Sequence, residues 1–449
     1  MAGVTLSRWT MSYFAAALVA LVAAEVLMAT GFGYPAAALR GAETLLVVHL
    51  VAIGWLSLLM LGALFQFVPV LVAKPLHSDR VAGAVLLGLL AGLSALAAGF
   101  LHLAGVVTVD LPFFPAAAAL LGVSFALAIF TLGRTLETAV SPGLPVRFVT
   151  VGLISLAATV MFGIIFAGVL GGGVEATLFL EIAAAGVPVH AVTGLGGWLT
   201  FTAMGVSYRL FAMFMLAPEL DRASSRWVHR LGAAALGVTV VGGGAAAAAG
   251  ASLTGVLAAA GIPGLAALVL YGFDVVHLYR GRLRRNMELN SRMAICALAS
   301  LAAAVTLSLV TVVLGVFEEH VGAIVFLVAF GWLTGLGLAK LYKIVAFLTW
   351  LECYGPVLGK TATPRVQDLA DERRAWPWFV AFFMSSWLGT AALLLSSASM
   401  FRVATAALAI ATVGIVVQFV RARRLIDVTN DLRFPPGARR PRLFLSISH

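Results

Sequence analysis

Apolar runs of about 20 residues, the length that crosses a bilayer as a helix, recur twelve times along the chain. They lie near 11–32, 43–72, 81–105, 112–133, 148–170, 186–216, 230–250, 253–278, 293–316, 320–351, 377–398 and 403–420, with a tight turn between the seventh and eighth. Polar and charged residues collect in the short gaps between them. The pattern predicts an all-α, polytopic membrane protein with a single transmembrane domain over 1–449. The stretch from Tyr13 to Thr30 is long enough to be the first span itself, and no cleavage site of a secretory leader follows it.

Three of these runs share a register. When Gly54-Trp55, Gly197-Trp198 and Gly331-Trp332 are aligned, a small residue falls eight places on each time (Gly62, Gly205, Ala339) and an aromatic eleven places on (Phe65, Tyr208, Tyr342). A hydrogen-bonding or basic residue follows at once (Gln66, Arg209, Lys343). Such a repeat reads as an internal triplication, with groups of four helices over 8–140, 141–287 and 288–425 and a cytoplasmic tail over 426–449. The related second, sixth and tenth helices are expected to line the interior. Their shared small residues would let helices approach closely.

Composition agrees. Of the 449 residues, 62% are hydrophobic and 11% charged, and the mean hydropathy is +1.05, whereas a soluble domain carries about 25% charged residues. The net charge of +10 is a matter of topology. With the amino terminus inside, 24 of the 29 Lys and Arg residues fall on the inner side, and only Arg40 and Arg402 fall outside. Both termini are therefore expected in the cytoplasm of a bacterial-type inner membrane, and nucleic acid is not an expected partner. Asp110, Glu175, Glu181, Glu318 and Glu319 make the outer loops acidic, which suits solvation of short loops or a docking surface. Pro435 to His449 reads as an extended tail near anionic lipid. Cys296 and Cys353 fall at inner helix ends, so neither a disulfide nor a cysteine metal site is expected.

The topology sorts the histidines. His77, His229 and His277 fall at inner ends and His449 at the terminus, whereas His49, His102, His190 and His320 fall toward the outer face. Measured from Glu43, His49 lies about 9 Å down its helix at 1.5 Å per residue. Ionisable groups inside a membrane are costly and are functional suspects. An imidazole there can ligate iron or copper through one nitrogen while a hydrogen bond orients the other. His49 and His190 are the leading candidate ligands, with His102 and His320 as further members of a site; a hydrogen-bonded packing role is the alternative for each. Gly54 after His49, and Gly194, Gly196 and Gly197 after His190, would make room for a macrocycle. Glu25 reads as a proton relay, a partner for a histidine, or a paired structural carboxylate. Gln66, Arg209 and Lys343 read as interfacial anchors, with contact to a quinone or a haem propionate as a minor option. Asp274, His277 and Arg280 read as an interfacial ionic cluster.

Twelve spans in three groups of four, with outer histidines on helices two and six, resemble subunit I of the haem-copper oxidases. The local motifs are more similar to the NnrS family, haem- and copper-containing membrane proteins linked to nitric oxide stress. That family's second helix carries His-x-His-Glu-x-x-x-Gly, a second glycine eight places on and a proline seven further. His49, Gly54, Gly62 and Pro69 stand at matching places, while Val47 and Leu50 replace the earlier histidine and the glutamate. The family's His-Ala-x-Thr-x-Gly run in helix six is matched by His190, Ala191 and Thr193, with glycine shifted to Gly194 and Gly196 around Leu195. The resemblance implies b-type haem, with copper as a second candidate metal, held near the periplasmic face.

A working terminal oxidase does not follow. The seventh helix lacks a His-His pair, the tenth lacks His-x-His, and Phe326 stands where the register would place the partner of His49. The implied roles are handling nitric oxide or another small gas, or transferring or sensing electrons with a periplasmic partner. No enzymatic activity is assigned, and homo-oligomerisation stays open. Two other classes remain: a transporter of copper or another small solute, and a degenerate oxidase-like assembly subunit.

Overall fold

The computed structural model describes residues 7–109 and 111–446, so Asp110 and His449 lie outside the described residues. Among the described residues every regular element is a helix. In hydrocarbon a helix satisfies all of its own backbone groups, which is why runs of this composition take that form. Eleven helices are long and apolar enough to cross a membrane, and a bent pair makes a twelfth when taken as one span.

In chain order the spans are Thr10–Thr30, Ala42–Val72, Asp79–Leu103, Phe113–Leu136, Leu144–Leu170, Val187–Met215, Ala223–Ala248, Thr254–Arg280, Leu289–Val313, Phe317–Val357, Glu372–Leu394 and Ala398–Arg423. The sixth is preceded by a short helix, Thr177–Ala185, set at 62° to it. Local chemistry sets several ends. Gly31, at φ 87°, closes the first span in the left-handed conformation that glycine tolerates best. The Ser397 hydroxyl accepts from the Met400 amide at the start of the twelfth.

The chain packs as two compact units. One comprises 63–286; the other comprises 7–62 together with 287–446. In the first unit, small residues bring the fifth and sixth spans into contact: a Cβ on Gly197 would sit 2.5 Å from Ser155 Oγ, and one on Gly205 would collide with Phe148. In the second unit, a Cβ on Gly62 would sit 2.6 Å from Tyr13 Cβ, and one on Gly331 would sit 2.8 Å from Ser300 Cβ. Between helices in lipid there is no hydrophobic driving force, so such close backbone approach is a main source of cohesion. The shared glycines of the Gly-Trp register serve this packing.

Each of the three Gly-Trp pairs lies in a π-helical stretch. These are Leu50–Ser57 in the second span, Val192–Phe201 in the sixth and Leu327–Thr334 in the tenth; the seventh span has another, Val238–Gly243. The indoles of Trp55, Trp198 and Trp332 are all buried. A π-helical turn bonds five residues apart rather than four, and such turns are frequent at functional sites. The side chains follow that wider pitch. Ser57 Oγ donates to the Ala52 carbonyl at 2.7 Å and Thr334 Oγ1 to the Ala329 carbonyl at 2.7 Å, each five residues back. Trp55 Nε1 then donates to Thr334 Oγ1 at 2.8 Å, joining the second span to the tenth.

The tail folds back onto the second unit. Arg423 is buried and forms an ion pair with Glu352 at 2.6 Å, their side chains 3% and 1% exposed. The same guanidinium donates to the Arg442 carbonyl at 2.7 Å. The Arg439 amide donates to the Cys353 carbonyl, the Ser446 amide to the Arg8 carbonyl, and Ser12 Oγ to the Phe444 carbonyl. Over 439–446 the Pro- and Arg-rich segment is thus tied to the helices by its own backbone.

Candidate functional site

His49 is the last residue of the regular helix Ala42–His49, immediately before the π-helical Leu50–Ser57. Its Nδ1 lies 2.7 Å from the Leu45 carbonyl oxygen. A carbonyl only accepts, so Nδ1 carries the proton and Nε2 carries the lone pair. The same helix presents the carbonyl four residues back on the ring's own face, which is why the side chain settles there.

His190 repeats the arrangement with a different acceptor. It lies in Val187–Ala191, directly before the π-helical Val192–Phe201. Its Nδ1 donates to the carbonyl of Thr159 on the fifth span at 3.0 Å. Thr159 Oγ1 donates to Thr193 Oγ1 at 3.0 Å, and Thr193 Oγ1 lies 2.9 Å from the Val189 carbonyl, so a small polar knot fixes the ring's surroundings. Phe166 meets the ring edge-on at 5.4 Å, and a Cβ on Gly163 would sit 3.6 Å from its Cε1. His190 again keeps the lone pair on Nε2.

The other outer candidates differ. His102 donates from Nδ1 to the Val107 carbonyl at 2.9 Å, just past the end of its helix, with the Phe113 ring 6.2 Å away. This is the bond of a residue that closes a helix end. His320 stands in the first turn of the tenth span beside exposed Glu318 and Glu319, with no hydrogen bond or ion pair among the described residues. His49 and His320 belong to one unit, His190 and His102 to the other. At the place in the register held by His49, the tenth span carries Phe326, stacked on Phe330 at 4.7 Å and edge-on to Phe401 at 5.3 Å.

The fit of a haem to these residues divides into two parts. The axial donors suit it, since a ligating histidine as a rule gives its second N–H to a carbonyl or carboxylate. Two of the glycines expected to make room do not: the space beside Gly197 is filled by Ser155, and that beside Gly194 by Thr159 Cγ2 at 3.3 Å. Among the described residues no three or more His, Cys, Asp or Glu side chains come together as a metal-binding group.

The remaining polar candidates gain specific partners. Glu25 is fully buried and accepts from Thr412 Oγ1 on the twelfth span at 2.8 Å. Arg209 forms an ion pair with Glu219, and Lys343 with Glu288 at 2.9 Å. Both basic groups are thus held by carboxylates of the chain in addition to any lipid contact. Asp274 is not the centre of an ionic cluster with His277 and Arg280. It is buried and accepts from Tyr208 Oη at 2.9 Å and Ser224 Oγ at 2.5 Å, while His277 is exposed.

Reading the sequence alone missed three things: the Thr159 carbonyl, Thr412, and the hydroxyl two places after each register tryptophan (Ser57, Thr200, Thr334). The last was open to inspection as part of the repeat. The first two are set by neighbouring helices and leave no local pattern. No family model matches the chain, and no curated protein is significantly similar to it in sequence.

Proposed function

We propose that this polytopic membrane protein binds b-type haem, with His49 and His190 as candidate ligands each within its own unit, and uses it to handle nitric oxide or another small gas, or to pass or sense electrons. The observation that carries the reading is shared by the two residues. Each stands at the entry of a π-helical segment, with Nδ1–H committed to a backbone carbonyl, which fixes the ring's tautomer and orientation. Bound iron would supply reversible binding of a diatomic ligand or a one-electron couple. The chain's own part is to fix the tautomer and orientation of each ring and to enclose it among apolar helices.

The wider setting is proposed on the same terms. A triplicated arrangement of three groups of four spans, as in subunit I of the haem-copper oxidases and the NnrS family, is proposed with it; the three π-helical Gly-Trp stretches and the hydroxyl repeated after each support the repeat. Both termini in the cytoplasm, with the histidines toward the periplasm, is supported by the distribution of Lys and Arg.

One observation favours a second reading. A short helix, Thr177–Ala185, meets the sixth span at a 62° bend across Gly186, and interrupted helices are a device of transporters. A transported small solute would then use the histidines as way-stations. An absorption spectrum of the purified protein in detergent separates the two. The haem reading predicts a Soret band that shifts with dithionite and with nitric oxide and is lost or altered in His49→Ala and His190→Ala. A colourless protein from haem-replete cells would leave the transport reading.

A further inference from the structure

Glu25 lies on the first span about 7 Å from its Thr30 end, at 1.5 Å per residue. Its side chain is fully buried. The first span packs against the π-helical Leu50–Ser57 and against the twelfth span, all within one unit. Oε1 accepts from Thr412 Oγ1 at 2.8 Å. Oε2 is also buried and has no hydrogen-bond partner among the described residues.

The charged and titratable groups on the neighbouring elements are engaged elsewhere. On the second span, Glu43 stands at the helix start and His49 donates to the Leu45 carbonyl. On the twelfth, Arg402 donates to the Ala29 carbonyl at 3.3 Å, Arg421 pairs with Asp427, and Arg423 pairs with Glu352. Among the described residues no cation pairs with Glu25, whose Oε2 has no hydrogen-bond partner. One hydroxyl does not compensate a carboxylate taken into hydrocarbon; a buried charge needs a counter-charge or several donors. A site of this kind must take up a positive ligand. Two oxygens and one hydroxyl are too few for a metal cation, since even Mg²⁺ completes six oxygen ligands, and among the described residues Glu25 is not part of any group of three or more acidic, imidazole or thiol side chains.

We propose that Glu25 is a proton-binding site inside the membrane, with Oε2 as the atom that takes and releases the proton and Thr412 as the positioning residue that fixes Oε1. The Oε2–H bond forms with a proton delivered by water and breaks when that proton returns to water; no electrons move. This placement ties proton occupancy to the packing of the first, second and twelfth spans. It does not depend on the haem reading.

Infrared difference spectra of the whole protein in detergent, in H₂O and D₂O, provide the test. The wild type should show the carbonyl stretch of a protonated carboxylic acid that moves to lower frequency in D₂O. Glu25→Gln keeps the side chain's shape and its acceptor for Thr412, and should lose that band alone. Thr412→Val should keep the band but raise its frequency, because Oε1 loses its donor, and this second variant decides the matter if the first fails to fold. The proposal is overturned if the wild type has no such band, if the band survives in Glu25→Gln, if it is unmoved in Thr412→Val, or if it fails to exchange in D₂O. The last result would mark a permanently neutral packing residue.

Discussion

Residues 42–62 of the second span belong to the same unit as the tenth span, and the two share a backbone device but carry different chemistry. Each has a regular helical start, then a π-helical stretch holding Gly-Trp and, two places on, a hydroxyl residue. At the last regular position before that stretch, the second span has His49, its Nδ1 bonded to the Leu45 carbonyl; the tenth has Phe326 locked in an aromatic stack. The two are joined by Trp55 and Thr334 and by close approach at Gly337, where a Cβ would sit 2.7 Å from Leu59 Cδ2. The difference teaches that the π-helical stretch is a packing device first. It widens the helix and sets small residues against neighbours, and chemistry is present only where a donor is placed at its entry. The sixth span supports this: at the register place of His49 it carries Val192, and its histidine stands two residues earlier, oriented by Thr159 on another helix.

Four substitutions break or sharpen the comparison. The largest effect is expected from His49→Phe, which gives the second span the tenth span's residue. Under the haem proposal it removes the haem absorbance carried by that ligand while the protein still purifies as a folded species, which absorbance and size-exclusion profiles check together. Next is Glu352→Ala, aimed at the ion pair that holds the far end of the tenth span and has no counterpart in the second. Leaving Arg423 buried without its partner should cost about 3–5 kcal/mol, read as a large drop in the thermal midpoint. Gly331→Ala places a Cβ 2.8 Å from Ser300 Cβ; overpacking of this kind costs about 1–3 kcal/mol, visible in the same melt. The smallest effect is expected from Thr334→Val, which leaves the Trp55 indole without its acceptor. Hydrogen bonds between membrane helices contribute about 0.6 kcal/mol on average and up to about 1.7, so the midpoint should fall slightly and the absorbance should not change.

Much of the architecture was legible because hydrocarbon imposes a simple rule. An apolar run of spanning length has no other way to satisfy its backbone, so the spans could be read off one by one. The Gly-Trp register was legible too, and it fell on three of the four π-helical stretches among the described residues. The bend before the sixth span was less so. The segment from Thr177 to Met215 is apolar almost throughout, and only Gly186 and Pro188 mark where it turns. The partners of polar groups were not legible. Asp274 looked close to His277 and Arg280 along its helix, yet it bonds to Tyr208 and Ser224, which lie far off in sequence. The same holds for Arg209 with Glu219, for Lys343 with Glu288, and for the tail that Arg423 holds by its carbonyls. Such pairings are decided by which helices meet, and one-dimensional pattern carries little of that.

The most direct measurement is the haem content per chain of the purified protein, by pyridine haemochrome against protein concentration, for the wild type and for His49→Phe and His190→Phe. The account predicts stoichiometric b-type haem in the wild type and a clear loss in both variants. A haem-free wild type from haem-replete cells, or full haem content in both variants, would contradict it.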